Sequence, residues 1–283
     1  MPAVRLEGRS IALKIRDEVR RRAEALQARA IAPKCVMIVV EGDGPGMLYA
    51  QTARRTGAVA GIQVEIVPIG AKADTSGALA IIHRIVDEST VHGMLLQRPL
   101  PERLDDQRLV EAIDPRKDID GAHPFNQGLL AVGKPAFAPA TAAAVLEILR
   151  ESPAPPLRGA RIAMIGRSAV VGRPAAALLT AADATVTICH SRTRNLAGIT
   201  LVSDIIVVAV GKPGFLTGDL VAPGAVIIDV GTNVVDGHLA GDVDFESVAA
   251  VAGAVTPVPG GVGPVTTAIL LRNIVMAAEQ LHP

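Results

Sequence analysis

Apolar positions along this chain follow two periods in alternation. Ile11, Ile15, Val19, Ala23 and Leu26 share one helical face behind Ser10, a suitable N-cap, and predict a helix to about Ala30. The run CVMIVVEG reads as a buried strand. Tyr49 to Val59 reads as a helix, IQVEIVPIG as a strand, SGALAIIHRIVDE as a helix, HGMLLQ as a strand and DDQRLVEAI as a helix. The polar stretch DPRKDIDGAHPFNQG breaks this rhythm and reads as a loop of the kind that carries function. A second block opens near Pro139 with the helix ATAAAVLEILRE. The strand RIAMIG, the helix GRPAAALLTAA and the strand ATVTICH follow. LAGITLVSD is mostly helical, IIVVAVG and AVIIDVG are strands, and TTAILLRNIVMAAEQL is an amphipathic helix. Strands alternating with helices predict an α/β protein with mostly parallel sheets flanked by helices.

Composition narrows the class. A chain of 283 residues suits one large or two modest domains, and 49% apolar residues argue against disorder. Lys+Arg and Asp+Glu are both 28, so charge gives no reason to expect nucleic acid or an acidic membrane as partner. Cys35 and Cys189 both lie in strand-like apolar runs and read as buried small hydrophobes, with no metal site expected. The start MPAVRLEGRSIALK has no apolar leader-like region, and no stretch reads as a clean 18-residue apolar span. The expectation is a soluble, cytoplasmic protein.

Candidate chemistry begins at RIAMIGRSAVVGRPAAALL. A strand runs into Gly166, a short turn follows, and Gly172 stands at the mouth of a helix. Exposed N–H groups at a helix start, with glycines that let a backbone approach, suit a phosphate. The spacing is not that of the common G-x-G-x-x-G fingerprint, and an ordinary strand–turn–helix fits the segment equally well. The end of the next strand separates the two readings. Dinucleotide folds that select NAD place an acid there for the ribose hydroxyls. Here His190, Ser191, Arg192, Thr193 and Arg194 follow the strand, and hydroxyls with guanidinium groups suit a 2′-phosphate. NADP is the expected cofactor.

These residues, with several further motifs, resemble the bifunctional methylenetetrahydrofolate dehydrogenase/methenyltetrahydrofolate cyclohydrolase family over essentially the whole chain. GDGP at 42–45 followed by Tyr49 is similar to the family's G-D-x-P…Y segment, and LLQRPLP at 95–101 to its V-Q-L-P-L-P. KDIDGAHPFNQG at 117–128 resembles K-D-V-D-G-x-x-x-x-N-x-G. GRSAVVGRP at 166–174, CHSRT at 189–193, VGKPGF, IIDVGTN and PVPGGVGPVTTAIL complete the series. The resemblance implies a folate-binding domain over 1–138, joined by a returning helix at 265–283, and a Rossmann-type NADP domain over 139–264, with a cleft between them. It also implies a homodimer.

By the same resemblance, Tyr49 stacks on the folate, Gln97 lies near the reacting carbon, and Asp120 accepts hydrogen bonds from the pterin edge. Gly260, Gly261, Pro264 and Thr266 match the folate-side loop. Gly166, Arg167, Ser168, Gly172, Ser191, Arg192 and Thr232 match the NADP side. The sequence departs from the family where Y-x-x-x-K requires a lysine one turn after the tyrosine, because Ala53 stands there. One residue fewer than expected separates Pro45 from Tyr49, and Arg98 replaces the family's leucine after Gln97. Gly61 keeps the downstream register, so sliding the alignment does not recover the lysine. Arg54 and Arg55 stay protonated and make poor proton shuttles.

The expected activity is therefore NADP-dependent oxidation of 5,10-methylenetetrahydrofolate, with the cyclohydrolase step weakened. Two other readings share these residues. One is an intact bifunctional enzyme with a relocated proton shuttle, and the other is a paralog that binds folate or NADP without turnover.

Overall fold

The structure is a computed structural model that describes residues 3–152 and 155–283. A short strand, β1 (Val4–Arg5), precedes α1 (Gly8–Ala28), which starts upstream of Ser10 and buries the predicted face. The buried strand β2 (Lys34–Val40) leads into α2 (Gly44–Val59). Asp43 caps α2 by accepting the Gly46 amide at 2.9 Å, and Pro45 fits the first turn because its missing N–H has no helical partner to lose. This upstream cap places Tyr49 inside the helix, whereas the sequence reading has it at the helix start.

β3 (Gln63–Ile69), α3 (Thr75–Val86), β4 (Gly93–Leu96) and α4 (Asp106–Glu111) complete the first block. The stretch read as an irregular loop contains a helix, α5 (Pro124–Ala131), opened by Pro124 in the position proline tolerates best. α6 (Ala140–Glu151) follows.

The second block holds β5 (Arg161–Ile165), α7 (Gly172–Ala181), β6 (Thr185–Cys189), α8 (Leu196–Thr200) and β7 (Ile205–Val208). Helix α8 is shorter than LAGITLVSD suggests. β8 (Val226–Asp229) leads to a hairpin of β9 (Asn233–Val235) and β10 (His238–Ala240). Its turn residues Asp236 and Gly237 both have positive φ, as a tight hairpin turn requires. α9 (Phe245–Ala249), β11 (Ala254–Val255) and α10 (Val262–Leu281) close the chain.

Two compact units result. One is built on a three-stranded parallel sheet in the order β3-β2-β4 and covers Lys14–Leu129, Pro135–Ala138 and Ala268–Pro283. Val36, Ile38, Ile69, Ile82, Met94, Leu96 and Leu109 form its core. The other is built on a six-stranded parallel sheet in the order β1-β11-β8-β7-β5-β6, cored by Ala163, Ile165, Ile206, Val208 and Ile227. It takes in Leu130–Lys134, Pro139–Thr267 and the segment through Leu13. This differs from the sequence reading, which gives the N-terminal segment to the first domain. The cause is β1, whose residues Val4 and Arg5 pair with Ala254 and Val255 of β11.

Among the described residues, α10 is long and apolar enough to cross a membrane by length and mean hydropathy, which the sequence reading did not anticipate. Of that span 61% is buried inside the protein, as a core helix would be. Cys35 and Cys189 are free and buried in β2 and β6, and burial pushes the Cys35 thiol up to about 12.

Candidate functional site

Each sheet contains a reversal of winding. From β2 the chain moves to β3 on one flank, then returns to β4 on the other. From β5 it moves to β6, then returns to β7. At a reversal the two connections diverge, and a crevice opens beyond the carboxyl ends of the strands. Most of the residues singled out from the sequence stand at these two places.

In the three-stranded unit, the end of β2 passes through Asp43 into α2, which carries Tyr49 and, one turn later, Ala53. Tyr49 is half-buried. Ala53 is fully buried on the helix face shared with Gly46, Ala50 and Gly57. The end of β4 delivers Gln97, whose amide donates to Ile38 O at 2.8 Å and so continues the strand. Gln97 Nε2 donates to Arg98 O at 3.1 Å. Gly46 lets the first turn of α2 lie against this side chain, since a methyl there would meet Gln97 Cγ at 2.6 Å.

Asp120 comes from the loop after α4. The loop is anchored first by Lys117, whose Nζ donates to Val86 O at 2.7 Å, at the end of α3, and to Glu88 O at 2.9 Å just beyond it. Burial holds this ammonium below its ordinary pKa. Asp118 is the second anchor. Its carboxylate accepts the amides of Ala122 and His123 at 3.1 and 2.8 Å and Asn126 Nδ2 at 2.8 Å, so it serves the loop itself. His123 Nδ1 accepts the Phe125 amide at 3.0 Å, and the ring thereby helps to start α5.

Among the described residues Asp120 makes no such bonds to the loop, and it is electrostatically exceptional. Burial pushes its carboxyl up to about 7, against the pull of Arg98 and with a further push from Asp118. Burial also raises the Tyr49 phenol, aided by the nearby charges of Asp120 and Cys35. Arg98 pairs with Asp106 through Nε at 3.5 Å. Tyr49, Gln97, Arg98 and Asp120 therefore belong to one unit and one reversal point, where Arg98 acts electrostatically on Asp120 and Asp120 in turn on Tyr49.

In the six-stranded unit, β5 ends at Ile165 and Gly166 turns the chain toward α7. Gly166 has φ +126°, and a side chain on it would strike Ala209 O. One on Gly172 would strike Gly166 O. The turn is thus packed too tightly for any Cβ, and it leaves backbone and small groups facing outward. Ser168 Oγ accepts the Val171 and Gly172 amides at 3.2 and 3.4 Å, while Arg167 and Ser168 are exposed. After β6, His190 N donates to Thr193 Oγ1 at 2.8 Å and Arg192 N to His190 Nδ1 at 3.2 Å. This small turn presents Ser191, Arg192 and Arg194 to solvent, with no acid at the strand end. Such a donor set fits a dinucleotide carrying a 2′-phosphate.

Two acids missed in the sequence shape the same crevice. Asp242 accepts the amides of Val210, Gly211 and Lys212 at 2.6, 2.9 and 2.9 Å just beyond β7, and Asn233 Nδ2 at 2.9 Å. Asp229, at the end of β8, accepts the amides of Gly231, Asp242 and Val243 at 2.9, 2.9 and 3.1 Å. Burial pushes Asp229 up to about 6 while those amides pull it down. Thr232 follows Gly231 and is exposed. Gly260, Gly261, Pro264 and Thr266 also belong to this unit. Gly260 O accepts the Gly8 amide at 2.9 Å, Gly261 N donates to Pro257 O at 2.8 Å, and Thr266 Oγ1 to Val262 O at 3.1 Å.

A parallel sheet with this reversal, a glycine turn into a helix and a basic loop after the next strand define a dinucleotide-binding α/β enzyme. Residues 6–120 match the tetrahydrofolate dehydrogenase/cyclohydrolase catalytic domain, and residues 139–282 match that family's NAD(P)-binding domain. A relative from Roseiflexus sp. (strain RS-1), bifunctional protein FolD, is 45% identical over 99% of this chain and 98% of its own. The bifunctional FolD methylenetetrahydrofolate dehydrogenase/cyclohydrolase crystal structure from Campylobacter jejuni is similar at TM-score 0.95 and 35% identity, over 98% of this chain and 99% of that one. The Trypanosoma brucei methylenetetrahydrofolate dehydrogenase-cyclohydrolase complexed with NADP and inhibitor is similar at TM-score 0.94 and 35% identity, over 99% and 98%. The chain belongs to the tetrahydrofolate dehydrogenase/cyclohydrolase family, and its six-stranded unit holds most of the residues that match that family's NAD(P)-binding domain.

Proposed function

We propose that this protein oxidises 5,10-methylenetetrahydrofolate to 5,10-methenyltetrahydrofolate with NADP and has a weakened cyclohydrolase step. The observation that carries this reading is the set Tyr49, Gln97 and Asp120 at one reversal point, with Ala53 one turn after Tyr49. Tyr49 offers a flat face to the pterin and aminobenzoate system. Asp120, when ionised, is acceptor-only and suits the amino-pyrimidine donors. Gln97 orients the reacting end. NADP, when bound, supplies the hydride acceptor, and Gly166, Arg167, Ser168, Gly172, Ser191, Arg192 and Thr232 would hold it.

The two steps of the family differ in what they ask of side chains. Hydride transfer needs approach and orientation and no proton from the enzyme. Ring opening by water needs protons moved, and loss of a positioned acid or base removes roughly 10²–10⁴-fold of rate. Ala53 has no titratable group. The protein is read as a homodimer on family resemblance. Sedimentation at micromolar concentration tests the dimer, and a monomer contradicts it.

The deciding experiment runs NADPH absorbance beside methenyl hydrolysis on pure protein. Oxidation well above hydrolysis supports the reading. Equal rates favour a relocated shuttle. Tight folate and NADP binding with no hydride transfer would make the chain a binding paralog.

A further inference from the structure

We propose that Asn273, on α10, is a positioning residue that sets the direction of the Asp120 side chain. The proposal rests on the folate reading only for what Asp120 binds. Asn273 is buried at 6% exposure, on a helix where Leu270, Leu271, Ile274 and Val275 are wholly buried. A polar amide in such surroundings is costly unless its hydrogens are bonded. Its Nδ2 donates to Ile119 O at 2.8 Å and to Ala138 O at 3.4 Å. Both acceptors lie in the same compact unit as Asn273 and Asp120.

The first acceptor is what matters for Asp120. The carbonyl of Ile119 and the N–H of Asp120 belong to one peptide group, which is planar. Holding that oxygen fixes the plane from which the Asp120 Cα departs. On the other side of Asp120, Gly121 has φ +62° and packs against the backbone of Phe137 and Ala138 so closely that no side chain fits. Asn273 also holds Ala138. It thus joins the peptide before Asp120 to the segment that supports the residue after it. Lys117 and Asp118 anchor the loop through their own side chains and leave the Ile119–Asp120 peptide to Asn273.

The test compares Asn273→Ala with Val275→Ala, which trims an equally buried side chain of the same helix but removes no amide. Asn273→Ala should raise KM for methylenetetrahydrofolate by roughly 10–100-fold, the scale expected when a binding group is misplaced by about an ångström. KM for NADP should stay unchanged. Asn273→Ser, which keeps one donor, should recover part of the loss and covers the case where the alanine variant folds poorly. Asp120→Asn and Asn273→Ala should be strongly non-additive in a double-mutant cycle. Amide hydrogen exchange over residues 117–123 should quicken in Asn273→Ala and not in Val275→Ala. Equal KM effects from the two alanine variants, additive effects in the cycle, or unchanged exchange would overturn the proposal. If the wild-type protein does not oxidise methylenetetrahydrofolate, the functional reading fails by itself. The exchange comparison still decides whether Asn273 holds the loop.

Discussion

The imidazoles of His92 and His282 meet edge to face, with their Nε2 atoms 3.2 Å apart. His92 Nδ1 accepts the Lys34 amide at 3.1 Å, so the His92 proton resides on Nε2 and is donated to His282. This pair ties the end of α10 to the start of β4, and Arg22 adds a two-pronged bond to Glu279 at 3.0 and 2.6 Å. Burial lowers the His92 pKa, as do the charges of His282 and Lys117. A histidine with a depressed folded pKa contributes stability in full above its unfolded value, roughly 6.5, and loses it as pH falls toward the folded value. The melting temperature should drop by a few degrees more between pH 7.5 and 5 in wild type than in His92→Gln. Identical slopes would show that the pair is not proton-linked.

Under the proposed function, Asp120 gives substrate binding its own pH response. With its carboxyl near 7, raised chiefly by burial, the acceptor form gains population as pH rises through neutrality. KM for methylenetetrahydrofolate should fall several-fold from pH 6 to pH 8. Arg98→Leu removes the charge that opposes burial and should move the midpoint upward. A KM flat across this range would rule out Asp120 as the titrating acceptor.

The proposed function assigns cofactor choice to the exposed turn after β6. Arg192→Ala should raise KM for NADP by about tenfold or more, on the scale of a lost charge-assisted bond to phosphate, with little change for NAD. Equal effects on both cofactors would sink the assignment.

Ala53 offers the most direct test of the proposed weakening of the cyclohydrolase step. Ala53→Lys should raise methenyl hydrolysis by about an order of magnitude or more and leave the dehydrogenase rate nearly unchanged. Because Ala53 is fully buried, the new ammonium should also lower the melting temperature and titrate closer to neutrality than an ordinary lysine. Wild-type hydrolysis already equal to oxidation would refute the role given to Ala53.

Tyr49, Gln97 and Asp120 could be singled out because each lies in a local word whose residue order survives in one dimension. Asn273, Asp229 and Asp242 were not, since their meaning lies in partners far along the chain. Asn273 reaches Ile119 and Ala138, and Asp242 reaches the amides of 210–212. The α/β rhythm emerged from long apolar runs such as CVMIVV. β1 and β11, at two residues each, are too short to show any period. α5 stayed hidden because its sequence opens in polar, proline-marked company. α2 began earlier than expected because the cap, Asp43, belongs to a motif read for its chemistry alone.

The threading of the chain carries a consequence for how such proteins can diversify. β1 completes the edge of the six-stranded sheet from one end of the polypeptide, and the last turns of α10 belong to the other unit. A recombination event that exchanged residues 139–264 alone would bring in a sheet whose edge strand must be supplied by the recipient's first residues. Under the proposed role of the short turn after β6, cofactor preference is therefore more readily altered in place, by substitutions there, than by shuffling a nucleotide-binding module between genes.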